Sequence, residues 1–124
     1  MTGFTALLVI DVQNDFCPAG KLAVSGGDVI VPLVNRLARQ QAHVMLTQDW
    51  HPEDHSSFAS QHQGKAPFSQ IDMPYGPQTL WPDHCIIGSK GAAFHKDLDV
   101  PHAELIIRKG FRKEIDSYSA FFEN

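Results

Sequence analysis

The stretch Ala6-Leu7-Leu8-Val9-Ile10, which stops at Asp11, is a continuous apolar run. Runs of this kind are typical of parallel strands that are buried on both faces of a sheet. Residues 43–47 (HVMLT) predict a second strand, which again ends close to an acid, Asp49. Residues 103–109 predict a third strand, and Lys109 stands at its carboxyl end.

A helix is predicted between the first two strands. Asp28 is a candidate N-cap residue, and apolar side chains follow it at spacings of three and four positions. Two strands joined by a helix form a right-handed βαβ unit. We therefore expect an α/β fold, a parallel sheet with flanking helices. The apolar positions of the predicted helix are Ile30, Leu33, Val34, Leu37 and Ala38.

Composition limits the class of protein. A chain of 124 residues with 43% hydrophobic residues predicts one domain, residues 1–124. The net charge of -4 and the lack of a basic block argue against nucleic acid as a partner. The sequence contains no apolar run of roughly 18 residues, the length at which a membrane-spanning helix would be predicted. The first apolar run is too short for a signal peptide, and two cysteines suit a reducing compartment, so we expect a cytoplasmic protein.

The segment from residue 50 to about residue 96 is rich in Pro, Gly, Ser and His and has little periodicity. The sequence predicts a long connection there, and connections of that length inside a compact domain are usually functional.

Polar residues end all three predicted strands. Taken singly, Asp11, Asp49 and Lys109 are each best explained as ordinary surface residues. In open α/β sheets, however, the carboxyl ends of parallel strands line one crevice, where binding sites form. Their joint occurrence therefore predicts that the three side chains converge on one site.

Asp49 and His51 are two residues apart at a strand end, so their side chains can lie on one side and bind one cation. His84 is a candidate third ligand. One carboxylate and two imidazoles suit a divalent transition ion, either zinc, iron or manganese, in a reactive site. The alternative is that the two histidines are surface or helix-cap residues without a metal.

Four segments carry a resemblance to a known family: residues 10–17 (IDVQNDFC), 48–52 (QDWHP), 81–85 (WPDHC) and 108–110 (RKG). In this order they resemble the motifs of nicotinamidases, which belong to the cysteine hydrolase family related to isochorismatase. The resemblance implies the isochorismatase-like hydrolase fold and hydrolysis of nicotinamide to nicotinate and ammonia, a step of NAD salvage. Many members of the family also accept pyrazinamide.

The resemblance also implies roles for individual residues. Asp11 and Lys109 match the catalytic acid and lysine that work with a nucleophilic cysteine. Phe16 and Trp81 match the aromatic residues that hold the pyridine ring, and His55 lies where some members have a further metal ligand. The implied metal ligands are Asp49, His51 and His84.

The family's nucleophilic cysteine follows a further strand and begins a helix, beyond the region that residues 1–124 match. Neither Cys17 nor Cys85 corresponds to it. The resemblance therefore implies the amino-terminal portion of a longer enzyme, with a sheet that is incomplete at the carboxyl end and with a missing carboxyl-terminal segment as a partner. A homo-oligomer is compatible with the sequence. Two alternatives stay open, a non-catalytic metal-binding or ligand-binding fragment and another isochorismatase-like hydrolase.

Overall fold

The computed structural model describes residues 3–122. Its strands and α-helix follow the order strand, helix, then four further strands along the described chain. The elements are β1 (Leu7–Val9), α1 (Val31–Ala38), β2 (Val44–Asp49), β3 (Gln70–Met73), β4 (Gly76–Thr79) and β5 (Leu105–Lys109).

Three of the strands form a parallel sheet in the order β1-β2-β5. The predicted parallel arrangement of the three apolar segments is therefore confirmed. In the register of β2 and β5, Asp49 lies beside Lys109. On the other side of β2, the Asp11 N–H donates to the Thr47 carbonyl at 3.3 Å. The carboxyl ends of all three strands consequently meet at one edge.

The strand bounds differ from those predicted. Ile10 lies outside β1 and is 60% exposed, so the first apolar run is not buried on both faces. Asp11 adopts a left-handed conformation with φ of 52°, which ends the extended strand. β2 instead continues past Thr47 to Asp49, because β5 pairs with it along this whole length.

The helix begins two residues later than predicted. Asp28 is not its N-cap residue: the capping position is Ile30, and no side chain caps the helix. The Asp28 backbone carbonyl accepts the Val31 N–H at 3.1 Å, within a series of turns that precedes α1. Pro32 lies in the first turn, where a missing N–H costs no intrahelical hydrogen bond.

The face of α1 that packs on the sheet agrees only in part with the predicted one, since Ala38 and Val34 pack in the core as predicted. Val31 and Ala38 are buried, whereas Leu33 and Leu37 are exposed. The buried pair faces the β1 and β2 side chains, where small residues allow the helix to lie close to the sheet. The core of the described chain consists of Val9, Val12, Val31, Ala38, Val44 and Leu46.

The long segment after β2 contains regular structure that the sequence did not predict. β3 and β4 form a two-stranded antiparallel sheet, and residues Ala59–Gln61 form a 3₁₀ turn. Single β-bridges join Phe58 to Trp81 and His51 to Ile86, which tie this segment to itself and to the end of β2. Among residues 3–122, no helix is both long and apolar enough to cross a membrane.

Candidate active site

A buried lysine lies between two aspartates at the carboxyl ends of the parallel strands. Lys109, only 5% exposed, places its Nζ 2.8 Å from Asp11 Oδ2 and in direct contact with Asp49 Oδ1. The structure thus brings together Asp11, Asp49 and Lys109, whose positions at the ends of the three strands predicted that they converge. Each comes from a different strand end, so the parallel register determines their contact.

Each charge in this cluster stabilises the ionised form of the opposite charges beside it. Burial by itself lowers the pKa of Lys109, but the charges of Asp49 and Asp11 outweigh burial and raise the pKa above its usual value. Burial by itself raises the pKa of Asp49, but contacts with His51 and His84 and the Lys109 charge hold that pKa well below its usual range. At neutral pH the lysine is therefore cationic and Asp49 is a carboxylate.

The second oxygen of Asp49 faces two histidines. Asp49 Oδ2 lies 3.5 Å from His51 Nε2 and 3.7 Å from His84 Nε2. Two ligands with bonds of about 2.0–2.2 Å to a tetrahedral ion are separated by about 3.4 Å. All three residues are buried, and their donor atoms lie within 4.8 Å of one another. This donor set fits one borderline transition ion such as zinc.

Backbone carbonyls orient both imidazole rings. His51 Nδ1 lies 2.8 Å from the Gly110 carbonyl, and His84 Nδ1 lies 2.7 Å from the Pro82 carbonyl. A carbonyl oxygen only accepts, so each Nδ1 carries a proton, and in the neutral form of each ring Nε2 is the nitrogen whose lone pair is available to a cation beside Asp49. Such outer contacts usually fix the tautomer of metal-binding histidines.

Gly110 is required at its position for two reasons. Its φ of +72° lies in the left-handed region, and a Cβ there would come within 2.4 Å of His51 Cε1. The glycine therefore allows the chain to turn after β5 and leaves room for the His51 ring beneath the carbonyl that it binds.

His55 packs against His51 with ring centroids 4.7 Å apart, but its own ring nitrogens are already engaged. The Ser57 N–H donates to His55 Nδ1 at 3.1 Å, and His55 Nε2 lies 3.2 Å from the Ile115 carbonyl, to which it donates. His55 therefore presents no free lone pair to the Asp49 group in this arrangement.

A cleft of about 280 Å³ opens above the cluster. Phe16 and Trp81, the two aromatic residues singled out from the sequence, both line it, and the Phe16 ring centroid lies 5.8 Å from that of His84. The sequence did not indicate several other lining residues. These are Leu22, Asp116, Ser117 and Tyr118.

Two polar residues that sequence reasoning missed support the site. Gln13, fully buried, donates from Nε2 to the Asp49 carbonyl at 2.9 Å and accepts the Asp49 N–H on Oε1 at 2.8 Å. Thr47 donates from Oγ1 to Asp11 Oδ1 at 2.7 Å. The sequence offered one signal for both residues: each is polar and lies within or just after an apolar strand segment. The two contacts hold the backbone of one aspartate and the carboxylate of the other.

Both cysteines are buried and unsuited to nucleophilic attack. Burial, followed by the charges of Asp49 and Asp15, raises the pKa of Cys85 far above its usual value. Burial and the Asp28 charge also raise the pKa of Cys17. Since the thiolate is the reactive form, neither thiol is activated in this structure.

The chain matches a known family over nearly its whole length. The model of the isochorismatase domain covers residues 5–124. A nicotinamidase of Acinetobacter baylyi is 58% identical over 118 residues, which amount to 95% of this chain and 55% of that protein. The chain thus spans little more than half the length of this relative.

Solved structures give the same match. A nicotinamidase and pyrazinamidase of Acinetobacter baumannii superimposes with a TM-score of 0.92 at 59% identity, over 94% of this chain and 56% of that one. A pyrazinamidase of Pyrococcus horikoshii, solved in complex with zinc, gives a TM-score of 0.74 at 36% identity. That match covers 95% of this chain and 58% of the other.

Replacing Gly110 tests the orientation of His51. We expect Gly110→Ala to displace the imidazole and weaken zinc binding by about 10- to 100-fold, the usual effect of losing an outer contact to a metal ligand. Gly88→Ala is the matched control, because Gly88 has a similar φ of +76° but open space around the added Cβ. Competition titration with a chelating dye measures both variants. Equal zinc affinities would contradict the role of Gly110.

Replacing Lys109 tests the buried charge cluster. We expect Lys109→Met to lower the free energy of unfolding by about 3–5 kcal/mol, because it leaves the buried Asp49 carboxylate and the partly buried Asp11 carboxylate without their cation. Lys113→Met is the control, since Lys113 forms an exposed ion pair with Asp54 and its loss should change stability little. Urea denaturation at pH 7 measures the difference. Similar effects of the two substitutions would show that the buried cluster is not stabilising.

Proposed function

This chain belongs to the isochorismatase domain family, and from that premise we propose that it supplies most of an active site that hydrolyses nicotinamide to nicotinate and ammonia. The observation that carries the proposal is the shared position of Lys109 between Asp11 and Asp49, below a cleft bordered by aromatic side chains. The similarity to nicotinamidases of two Acinetobacter species supports the choice of substrate.

The proposed cofactor is one divalent transition ion, either zinc, iron or manganese, held by Asp49, His51 and His84. The converging lone pairs support this assignment, as does the zinc in the Pyrococcus relative. When bound, the ion would act as a Lewis acid that orients the pyridine nitrogen, directly or through a water ligand. Phe16 and Trp81 would hold the pyridine ring, which fixes the amide relative to the strand ends.

Asp11 would carry the proton transfers, and Lys109 would stabilise the charges. The Asp11 carboxylate takes the proton of an attacking thiol, and the resulting thiolate forms a bond to the amide carbon. Asp11 then returns this proton to the departing nitrogen, which leaves as ammonia. Water hydrolyses the thioester to nicotinate and regenerates the thiol. Throughout, the Lys109 ammonium stabilises the negative charge of the aspartate and of the thiolate.

We propose that the attacking thiol comes from a segment outside residues 1–124. The burial and raised pKa of both Cys17 and Cys85 support this, and the greater length of the relatives leaves room for such a segment. The protein would act on a small molecule in the cytoplasm, within NAD salvage, without nucleic acid.

A second candidate function is binding of a metal and a pyridine ligand without catalysis. The lack of an activated thiol among the described residues favours it. A hydrolase of the same family that acts on a different amide is a further alternative. Release of ammonia from nicotinamide distinguishes these alternatives from the main proposal.

Metal content tests the proposed ligands. We expect the protein purified without chelators to contain one equivalent of a divalent transition ion. The double variant Asp49→Ala, His51→Ala should contain almost none, because two of three ligands are gone. His43→Ala is the control, since His43 is half exposed and pairs with Glu104 away from the site. Elemental analysis by plasma mass spectrometry gives the counts, and normal metal content in the double variant would disprove the assignment.

Ammonia release tests the proposed reaction. We expect the 124-residue chain to release none from nicotinamide with zinc, iron(II) or manganese(II). A longer protein that contains this chain and a cysteine-bearing carboxyl-terminal segment should be active, and Lys109→Met should abolish that activity while Lys113→Met should not. Activity in the 124-residue chain would overturn the assignment of the thiol, and Cys17→Ala and Cys85→Ala would then identify the nucleophile.

A further inference from the structure

We infer that Asp116 is a positioning residue, which holds the Trp81 indole in place as a rigid wall of the ring-binding cleft. The inference rests on the proposed function, because it concerns how the same cleft selects a flat, single-ring amide. Asp116 lies outside the four motifs that carried the resemblance. It follows β5, the strand that ends at Lys109, and its side chain lines the same cleft.

The contact between the two residues is a charge-assisted hydrogen bond. Trp81 Nε1 donates to Asp116 Oδ2 at 3.2 Å, and the same N–H lies 3.3 Å from the Tyr118 hydroxyl. Asp116 is only 7% exposed, so its carboxylate depends on protein donors rather than on water. An indole has one N–H donor, and directing it at a buried carboxylate defines the orientation of the whole ring.

Gln78 ties the same carboxylate to the hairpin formed by β3 and β4. Gln78 is 2% exposed, and its Nε2 donates to Asp116 Oδ2 at 3.1 Å and to the Tyr118 hydroxyl at 2.9 Å. Its Oε1 accepts the Tyr75 hydroxyl at 2.9 Å. The hairpin thus supports the cleft wall through one buried amide. This gives a function to the segment between Met73 and Trp81, for which the sequence predicted no regular structure.

A third contact fixes the indole from another direction. The Phe68 ring stands edge-on to Trp81 with centroids 6.1 Å apart, and Phe68 has a φ of +70°. This backbone conformation is costly for a bulky side chain and persists only where surrounding contacts impose it. The Phe68 N–H donates to the Leu80 carbonyl at 2.6 Å, which holds Phe68 against the residue that precedes Trp81.

These contacts leave the indole little freedom to rotate. The indole borders the cleft, its N–H is bound to Asp116, and its ring contacts the Phe68 ring. A wall that cannot move keeps the shape of the cleft fixed, so binding pays no ordering cost at this side chain. Without the carboxylate, Trp81 would sample several rotamers and the ligand would bind less tightly.

The experiment uses Trp81 as its own reporter. The chain has two tryptophans, so Trp50→Phe leaves Trp81 as the sole indole, and this variant is the reference. We compare Asp116→Leu, which removes the acceptor, with Asp116→Asn, which removes the charge but keeps an oxygen for the indole. Time-resolved fluorescence anisotropy measures motion of the ring, fluorescence quenching measures nicotinate affinity, and elemental analysis measures bound metal.

We expect Asp116→Leu to add a fast component to the Trp81 anisotropy decay and to weaken nicotinate binding by about tenfold, without loss of metal. Asp116→Asn should restore most of the rigidity and affinity. Gln78→Met is the second variant, and it should loosen Trp81 in the same direction even if Asp116→Leu folds poorly. A rigid indole in both Asp116→Leu and Gln78→Met would overturn the inference.

Loss of metal in Asp116→Leu with a rigid indole would also overturn it, because Asp116 would then act on the metal ligands and not on Trp81. The proposed function fails separately. If the reference protein does not bind nicotinate, that proposal is wrong, whereas the anisotropy of Trp81 still decides whether Asp116 holds the ring.

Discussion

The ammonium group of Lys109 is the constraint on which the rest of the site depends. Two carboxylates at neighbouring strand ends repel each other unless a cation lies between them, and in this protein Lys109 contacts both Asp11 and Asp49. The parallel register that pairs Asp49 with Lys109 makes this contact unavoidable once β2 and β5 associate. Association of the parallel strands therefore brings the members of the charged cluster together.

Hydrogen bonds from neighbouring residues orient the side chains of this cluster. These bonds give a structural role to other residues of the same motifs. Gln13 holds the backbone of Asp49 on both its N–H and its carbonyl. The Gly110 carbonyl sets the tautomer of His51, and the glycine leaves space for the ring. Each chemically important side chain thus depends on a neighbour whose contribution is geometric, and such neighbours limit substitution as strongly as the reactive groups themselves.

The segment between β2 and β5 acts as a scaffold for one wall of the cleft. Its strands β3 and β4 are only four residues long and contain Gly, Pro and Gln, so they have neither an apolar run nor a helical period that would reveal them. Gln78 and Trp81 acquire their roles through partners nearly 40 residues away, Asp116 among them. Their arrangement follows from long-range hydrogen bonds.

Local sequence determined the elements whose burial leaves a pattern within one segment. The apolar runs before Asp11 and Asp49 were enough to identify parallel strands and to predict that polar strand ends converge, because burial selects apolar residues wherever they fall in the chain. Tertiary structure alone decided the helix face, where Val31 is buried and Leu33 is exposed, and the burial of both cysteines. It also decided which ring nitrogen of each histidine carries the proton and how Trp81 is held at the wall of the cleft. These features depend on side-chain contacts between residues far apart in the sequence, and periodicity within one segment carries no information about the distance or orientation of such partners.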